Sequence, residues 1–210
     1  MADSTREDDE AAQRLLVTPL TDDDLLAVTV GERLPLNGTI YLATYNPAWP
    51  SLFARLATAI HKVLGGKVLT LEHVGSTSVP GLPAKPIIDI LLAVADSRDE
   101  PAYVDPLEKL GYVLRIREPD WYEHRLLKAQ DMAVNLHVFS AECQEIERML
   151  LFRDWLRTHI EDRKLYEKTK RKLAAQTWKY TQNYADAKSA VVEEILARAR
   201  LADRVVGVAY

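Results

Sequence analysis

Apolar side chains recur at helical spacing over Leu52, Phe53, Leu56, Ile60, Val63 and Leu64, which predicts a helix opened by Asn46-Pro47 and stopped by Gly65-Gly66. Ahead of it, Ile40 to Tyr45 reads as a strand, and Thr21 with the acidic residues after it reads as the start of a helix that ends near Gly31. After it, the run from Lys67 to Asp96 predicts a strand, a Gly/Ser turn, a proline-punctuated connection and a second strand over Ile87 to Val94 that is apolar on both faces. A helix over Pro101 to Leu110 ends at Gly111. Three short β-like runs follow, Tyr112 to Arg117, His124 to Lys128 and Ala133 to Phe139, with mixed or antiparallel pairing expected. From Gln144 onward Gly and Pro vanish until Gly207 and the pattern turns helical, with breaks predicted over Thr158 to Glu161 and around Asn183. The expected fold class is therefore α+β: a mixed central sheet with flanking helices and a C-terminal helical group.

Composition narrows the function classes. With 210 residues, 48% of them hydrophobic, the chain can bury one sizeable core. A formal charge of -4 offers no global positive field for nucleic-acid phosphates, so long RNA or DNA is not the expected ligand, whereas a small phosphorylated molecule needs only a local cluster of Lys and Arg. The single cysteine, Cys143, has no partner for an intramolecular disulfide, and no Cys/His zinc spacing occurs. The first 13 or so residues are acidic and polar, which predicts a mobile tail rather than a secretory leader. No apolar run is long enough to span a bilayer. A cytoplasmic setting is expected.

Chemistry concentrates in the middle of the chain. The turn Gly75-Ser76-Thr77-Ser78 leaves a strand with backbone N–H groups and hydroxyls that suit phosphate oxygens, though such a turn is also an ordinary way to connect strands. Thirteen positions after Ser76, Asp89 interrupts the apolar strand Ile87-Ile88-Asp89-Ile90-Leu91-Leu92, where an unpaired carboxylate would cost several kcal/mol. It requires a cation, either a metal ion or a basic side chain such as Lys85, Arg115 or Arg125. Lys85, Arg115, Arg117, Arg125, Lys128, Arg153, Lys170 and Lys188 could neutralise phosphate charge; Tyr166, Trp178 and Tyr180 could stack on a base or pack the core.

The stretch EHVGSTSVPGLPAKPIIDI, Glu72 to Ile90, closely resembles the signature of the GrpB family, also called UPF0157. Tyr45-Asn46-Pro47-Ala48-Trp49-Pro50, Leu136-His137-Val138, Phe152-Arg153-Asp154, and the C-terminal Tyr/Lys pattern of Tyr166 with Lys170 and Tyr184 or Tyr180 with Lys188 resemble it too. The resemblance implies one domain over residues 38–205 behind an N-terminal extension, 1–37, with a sheet of the polymerase-β-like nucleotidyltransferase type. It further implies His73, Gly75, Ser76, Thr77, Lys85, Arg125 and Lys188 as nucleotide-binding candidates, Asp89 and His137 as catalytic candidates, and Asp89, Glu72 and His137 as candidate Mg²⁺ ligands. Two departures stand out. The superfamily's second acid would fall at Leu91, and Asn135 stands where a histidine is usual in GrpB-like proteins.

The function expected from this frame is transfer of a nucleotidyl group from a nucleoside triphosphate to a small acceptor, with Mg²⁺. Leu91 and Asn135 motivate the alternative of a nucleotide-binding or accessory module without catalysis, which would bring in a protein partner. An ATP-dependent ligase working through an acyl-nucleotide is a third possibility.

Overall fold

A computed structural model describes residues 20–207; the tail expected over the first residues lies outside them. The chain opens with helix α1, Asp22–Ala27, held by a reciprocal cap in which the Asp24 N–H donates to Thr21 Oγ1 at 3.2 Å and the Thr21 N–H to Asp24 Oδ2 at 2.9 Å. It ends before Gly31 because Val30 leaves to donate its N–H to the Arg115 carbonyl at 2.8 Å. Helix α2, Trp49–Leu64, has Pro50 in its first turn and stops at Gly65, as its pattern predicts.

Five strands form one sheet: β1 Thr70–Val74, β2 Ile88–Val94, β3 Tyr112–Glu118, β4 His124–Ala129 and β5 Val134–Ser140. Their spatial order is β1-β2-β5-β4-β3, with β2 and β5 parallel and every other pair antiparallel. The remaining helices are α3 Val104–Glu108, α4 Gln144–Thr158, α5 Ile160–Ala174, α6 Thr181–Asp186 and α7 Ser189–Gly207. This is the α+β class that the residue pattern predicts.

Side chains alternate across a strand, so β2 divides its residues between two environments. Ile88, Ile90, Leu92 and Val94 join Leu136 and Val138 of β5 and pack against Trp49, Leu56, Ile60 and Leu64 of α2 and Leu107 of α3. Asp89 and Leu91 look the other way, with Asn135, His137 and Phe139, towards Ile146, Met149 and Leu150 of α4. Both faces of β2 are thus covered, and Asp89 is the polar position on the covered α4 side.

Three expectations need correction. Ile40 to Tyr45 is not a strand: its neighbours are a loop on one side and the end of α5 on the other, so it makes one isolated bridge, Ala43 to Ala84, while the Ile40 N–H donates to the Ala174 carbonyl. The helix expected over Pro101 to Leu110 is split into a 3-10 turn, Glu100–Ala102, and α3. Between them Tyr103 is buried with its hydroxyl donating to the Ser97 carbonyl at 2.6 Å. Asn183 does not break a helix. It sits in α6 and accepts the Tyr180 N–H at 2.9 Å, closing that helix's N-terminus; the breaks fall before Thr181 and at Ala187 and Lys188.

Candidate functional site

Where β1 gives way to the Gly75 turn, the backbone passes against the Asp89 carboxylate. Gly75 adopts φ 66° and ψ -173°, a conformation open to glycine. A Cβ placed there would sit 3.0 Å from Asp89 Cβ and Cγ and closer still to Oδ2. Glycine is therefore required twice, by its dihedral angles and by the carboxylate it abuts. After it, Ser76–Ser78 makes one 3-10 turn, with the Ser78 hydroxyl donating to the Gly75 carbonyl at 2.6 Å.

Beyond this turn opens a cleft of about 120 Å³. It is lined by Gly75, Ser76, Val79 and Asp89 on the sheet side, Met149, Phe152, Arg153 and Leu156 from α4, Tyr166 from α5, and Lys188 from the junction of α6 and α7. The C-terminal helices supply half the wall. Leu156 and Tyr166 pack with Val79, Leu82, Val191 and Ile195 in a second apolar cluster that holds α4, α5 and α7 against the turn.

Asp89 accepts a hydrogen bond from Asn135 Nδ2 at 2.8 Å, across the parallel pairing of β2 with β5. His137 Nε2 lies 3.8 Å from the same oxygen, Oδ1. Lysines approach Asp89 from several elements. Burial lowers the pKa of Lys85, with Lys128 nearby adding to the effect; burial lowers that of Lys128, with Arg115 adding. Lys170, buried on α5, is pushed down to about 7 by burial, reinforced by Lys188. Its ammonium donates to the Pro83 carbonyl and lies 5.0 Å from the Tyr166 ring centre, while Lys188 lies 4.6 Å from that of Tyr184. Among the described residues, Lys85, Lys128, Lys170 and Lys188 form no ion pair within 4 Å of a carboxylate.

The sequence candidates divide accordingly. Gly75, Ser76, Asp89 and Lys188 meet in the cleft, and His137 stands beside Asp89. Lys85 lies within electrostatic reach of Asp89 and donates to Thr181 Oγ1 at 3.3 Å. His73 and Thr77 serve the fold instead. His73 faces α2, stacked on Phe53 with 5.0 Å between ring centres, and its Nε2 shares a 3.0 Å hydrogen bond with Thr77 Oγ1. Burial pushes the His73 pKa down to about 4, with Asp89 opposing the effect. Thr77 in turn donates to the Ile87 carbonyl.

Arg125 does not reach the cleft. It pairs in register with Val138, so it faces away from Asp89, and it is buried against Glu100 at 2.7 Å and Glu123 at 3.3 Å. Glu72 shares the Asp89 face but is engaged by Arg153 Nη1 at 2.7 Å, and Leu91 is fully buried. No group of three or more His, Cys, Asp or Glu side chains among the described residues could hold a metal ion. The residues present do not fit a two-metal centre, which needs several anionic oxygens to bridge the ions.

Four contributors escaped the sequence reading: the α4 side chains Met149 and Leu156, and His124 and Glu118, which form a chain in which Glu118 Oε2 lies 2.6 Å from His124 Nδ1 and His124 Nε2 lies 3.1 Å from His137 Nδ1. His124 is buried and stacks on both His137 and Phe139, with ring centres 5.3 and 4.7 Å apart. Its only sequence signal is a place in β4; which residue it faces depends on a register that only the assembled sheet fixes.

The sequence profile of the family described as "GrpB protein" matches residues 39–198. The chain belongs to the GrpB family. A UPF0157 protein of Halalkalibacterium halodurans is 61% identical over 182 residues, 87% of this chain and 93% of that one. The crystal structure of the conserved protein GrpB from Enterococcus faecalis superposes with a TM-score of 0.66 at 32% identity, covering 76% of this chain and 96% of that chain. A much looser likeness, TM-score 0.39 at 12% identity over 61% of this chain and 45% of that chain, is to the Cid1 poly(U) polymerase. A likeness that loose says nothing about activity. The GrpB match spans the Gly75 turn, Asp89, Asn135, His137 and Lys188, so every wall of the cleft lies inside the family's region. No helix among the described residues is long and apolar enough to cross a membrane.

Proposed function

We propose that this GrpB-family domain binds a phosphorylated small molecule, a nucleoside triphosphate in the first instance, through the cleft beyond Gly75 and Ser76, without two-metal nucleotidyl transfer. The observation that carries this reading is the charge imbalance: Lys85, Lys128 and Lys170 each feel the Asp89 carboxylate, Lys188 lines the cleft beside it, and none of the four forms an ion pair within 4 Å of an acid among the described residues. Partly buried cations that repel one another are stabilised by an anion arriving between them. Lys188 and Ser76 line the space into which a phosphate would come. At about 120 Å³ the enclosed part is smaller than the 300–1,000 Å³ usual for a pocket that swallows a whole ligand, so it suits the phosphates, with the nucleoside lying outward.

Leu91 and the Arg153–Glu72 pair favour binding over transfer. Mg²⁺ would travel on the triphosphate, its remaining shell filled by water, rather than in a protein cage. Nucleotides are solutes of the cell interior, and we place the protein there, as a sensor or accessory of a nucleotide-using partner.

Calorimetric titration with ATP, GTP, CTP and UTP, each with and without Mg²⁺, tests the reading. Saturable binding is expected, weakened about ten- to a hundredfold by Lys188→Ala, the range for loss of a charge-assisted hydrogen bond, and reduced by added salt. Absence of binding by all four nucleotides overturns the reading; release of pyrophosphate with turnover overturns the exclusion of transfer.

A further inference from the structure

Three charged side chains of α4 converge on the two ends of the Gly75 turn. Arg157 stands one helical turn beyond Arg153 and Asp154, so the three meet on one side of the helix. Arg153 Nη1 donates to the His73 carbonyl at 3.1 Å, ahead of the turn. Arg157 Nε and Nη2 donate to the Ser78 carbonyl at 3.1 and 3.0 Å, behind it. Asp154 joins the two guanidiniums: its Oδ1 accepts from Arg153 Nε at 2.8 Å and from Arg157 Nη1 at 3.0 Å, and its Oδ2 from Arg153 Nη2 at 2.9 Å. One carboxylate thus aims the groups that grip the turn at both ends.

Two kinds of basic residue therefore surround the cleft. Among the described residues Lys85, Lys128, Lys170 and Lys188 have no acid within 4 Å, whereas Arg153 and Arg157 share Asp154, and Arg153 also has Glu72 at 2.7 Å. Four of the five N–H groups of Arg153 are engaged, so it lines the cleft with little left for an incoming phosphate. An arginine so saturated holds a shape rather than a ligand. The shape matters electrostatically, because a carbonyl oxygen turned into the cleft would repel phosphate, while N–H groups attract it. Guanidiniums hold the carbonyls at both ends of the turn. Within it, the Gly75 carbonyl accepts from the Ser78 hydroxyl at 2.6 Å and the Ser76 carbonyl from the Val79 N–H at 3.3 Å. Without the carboxylate between them, two like-charged side chains one turn apart would repel and regain their rotamer freedom.

We propose that Asp154 is a positioning residue, which acts through Arg153 and Arg157 to hold the Gly75–Ser78 turn in the form that receives phosphate. This rests on the nucleotide reading of the cleft and adds to it the element that preorganises the turn. The Asp154 side chain is 54% exposed, and exposed ion pairs contribute little to folding, so its role in the site is separable from the stability of the fold.

The experiment titrates ATP with Mg²⁺ by calorimetry into the full chain as wild type, Asp154→Asn, Arg157→Met and the double variant, and takes the melting temperature of each. Each single change is expected to weaken binding about tenfold, the order that outer supporting partners contribute at preorganised sites. Melting temperatures should fall by no more than about 4 °C. In the double variant the loss should be smaller than the product of the two single losses, since both changes release the same grip. In ¹H–¹⁵N spectra without nucleotide, the Ser76 and Thr77 amides should shift in Asp154→Asn while that of Leu127 in β4 stays in place, a pattern that a general loss of stability does not produce. Unchanged affinity in Asp154→Asn, single losses that multiply in the double variant, or turn amides that stay in place overturn this inference alone. Failure of the wild type to bind ATP overturns the cleft reading with it.

Discussion

Replacing Gly75 with alanine should be the most damaging single-methyl change in this molecule, and the structure allows its size to be worked out. The backbone at φ 66° and ψ -173° lies in a region that residues with a Cβ avoid, at a cost of about 1–3 kcal/mol. The added methyl also meets Asp89 at 3.0 Å from Cβ and Cγ and nearer still to Oδ2, so the carboxylate must move. The Asp89 backbone is held between β1 and β5 near the start of β2, so the side chain must take up the shift, which endangers the 2.8 Å bond from Asn135, a charge-assisted interaction of about 1.5–3 kcal/mol. Together the two effects amount to roughly 3–5 kcal/mol, or a fall in melting temperature of about 6–20 °C for a domain of this size. Urea unfolding followed by circular dichroism reads the loss as a lower midpoint at unchanged slope. A Gly75→Ala protein within about 0.5 kcal/mol of the wild type would refute the argument that this glycine is imposed by the carboxylate.

Stability should fall between about pH 6.5 and pH 4. The His124 pKa is held down near 4 in the folded chain, so the unfolded chain takes up a proton first as pH drops; the contribution is complete above 6.5 and gone below 4. It is on the order of 2 kcal/mol, and His124→Phe should flatten that part of a urea-midpoint-against-pH curve. Nucleotide binding near pH 7 should draw in protons, because Lys170 sits near a pKa of about 7 and a bound phosphate favours its charged form. Calorimetry in buffers of different ionisation enthalpy measures that uptake, which should vanish in Lys170→Met. Arg125→Met should leave nucleotide affinity unchanged while costing about 1–3 kcal/mol of stability, since Glu100 loses one of its two arginines and keeps its paired hydrogen bonds to Arg117. A loss of binding at full stability would return Arg125 to the site.

Much of the scaffold was legible because short-range rules governed it. The 3.6-residue spacing of α2, its proline start and glycine stop, and the unbroken apolar run of β2 are local signals, and so is the oddity of Asp89 inside that run. The misreadings concern partners distant in sequence. Ile40 to Tyr45 has the composition of a strand but finds no strand to pair with, and an extended segment becomes a strand only through its neighbours. Glu72 looked available for a metal because Arg153, which occupies it, lies 81 residues later. Arg125 looked available for phosphate because its direction depends on which residue of β5 it faces. The Glu118–His124–His137 chain needs three strands in register before it exists, and no spacing along the sequence announces it.

The one parallel pairing in the sheet has a consequence for how the domain assembles. Asp89 and Asn135 stand 46 residues apart, with two whole strands of the hairpin β3–β4 threaded between them, so they cannot meet until that excursion has been completed and brought home. The far wall is contributed later still, by helices that reach Lys188. A half-made chain emerging from the ribosome would own the Gly75 bend and the acid beside it but nothing to enclose them. Occupancy by ligand then certifies a finished molecule, and a small solute bridging early and late segments would slow unravelling from either end.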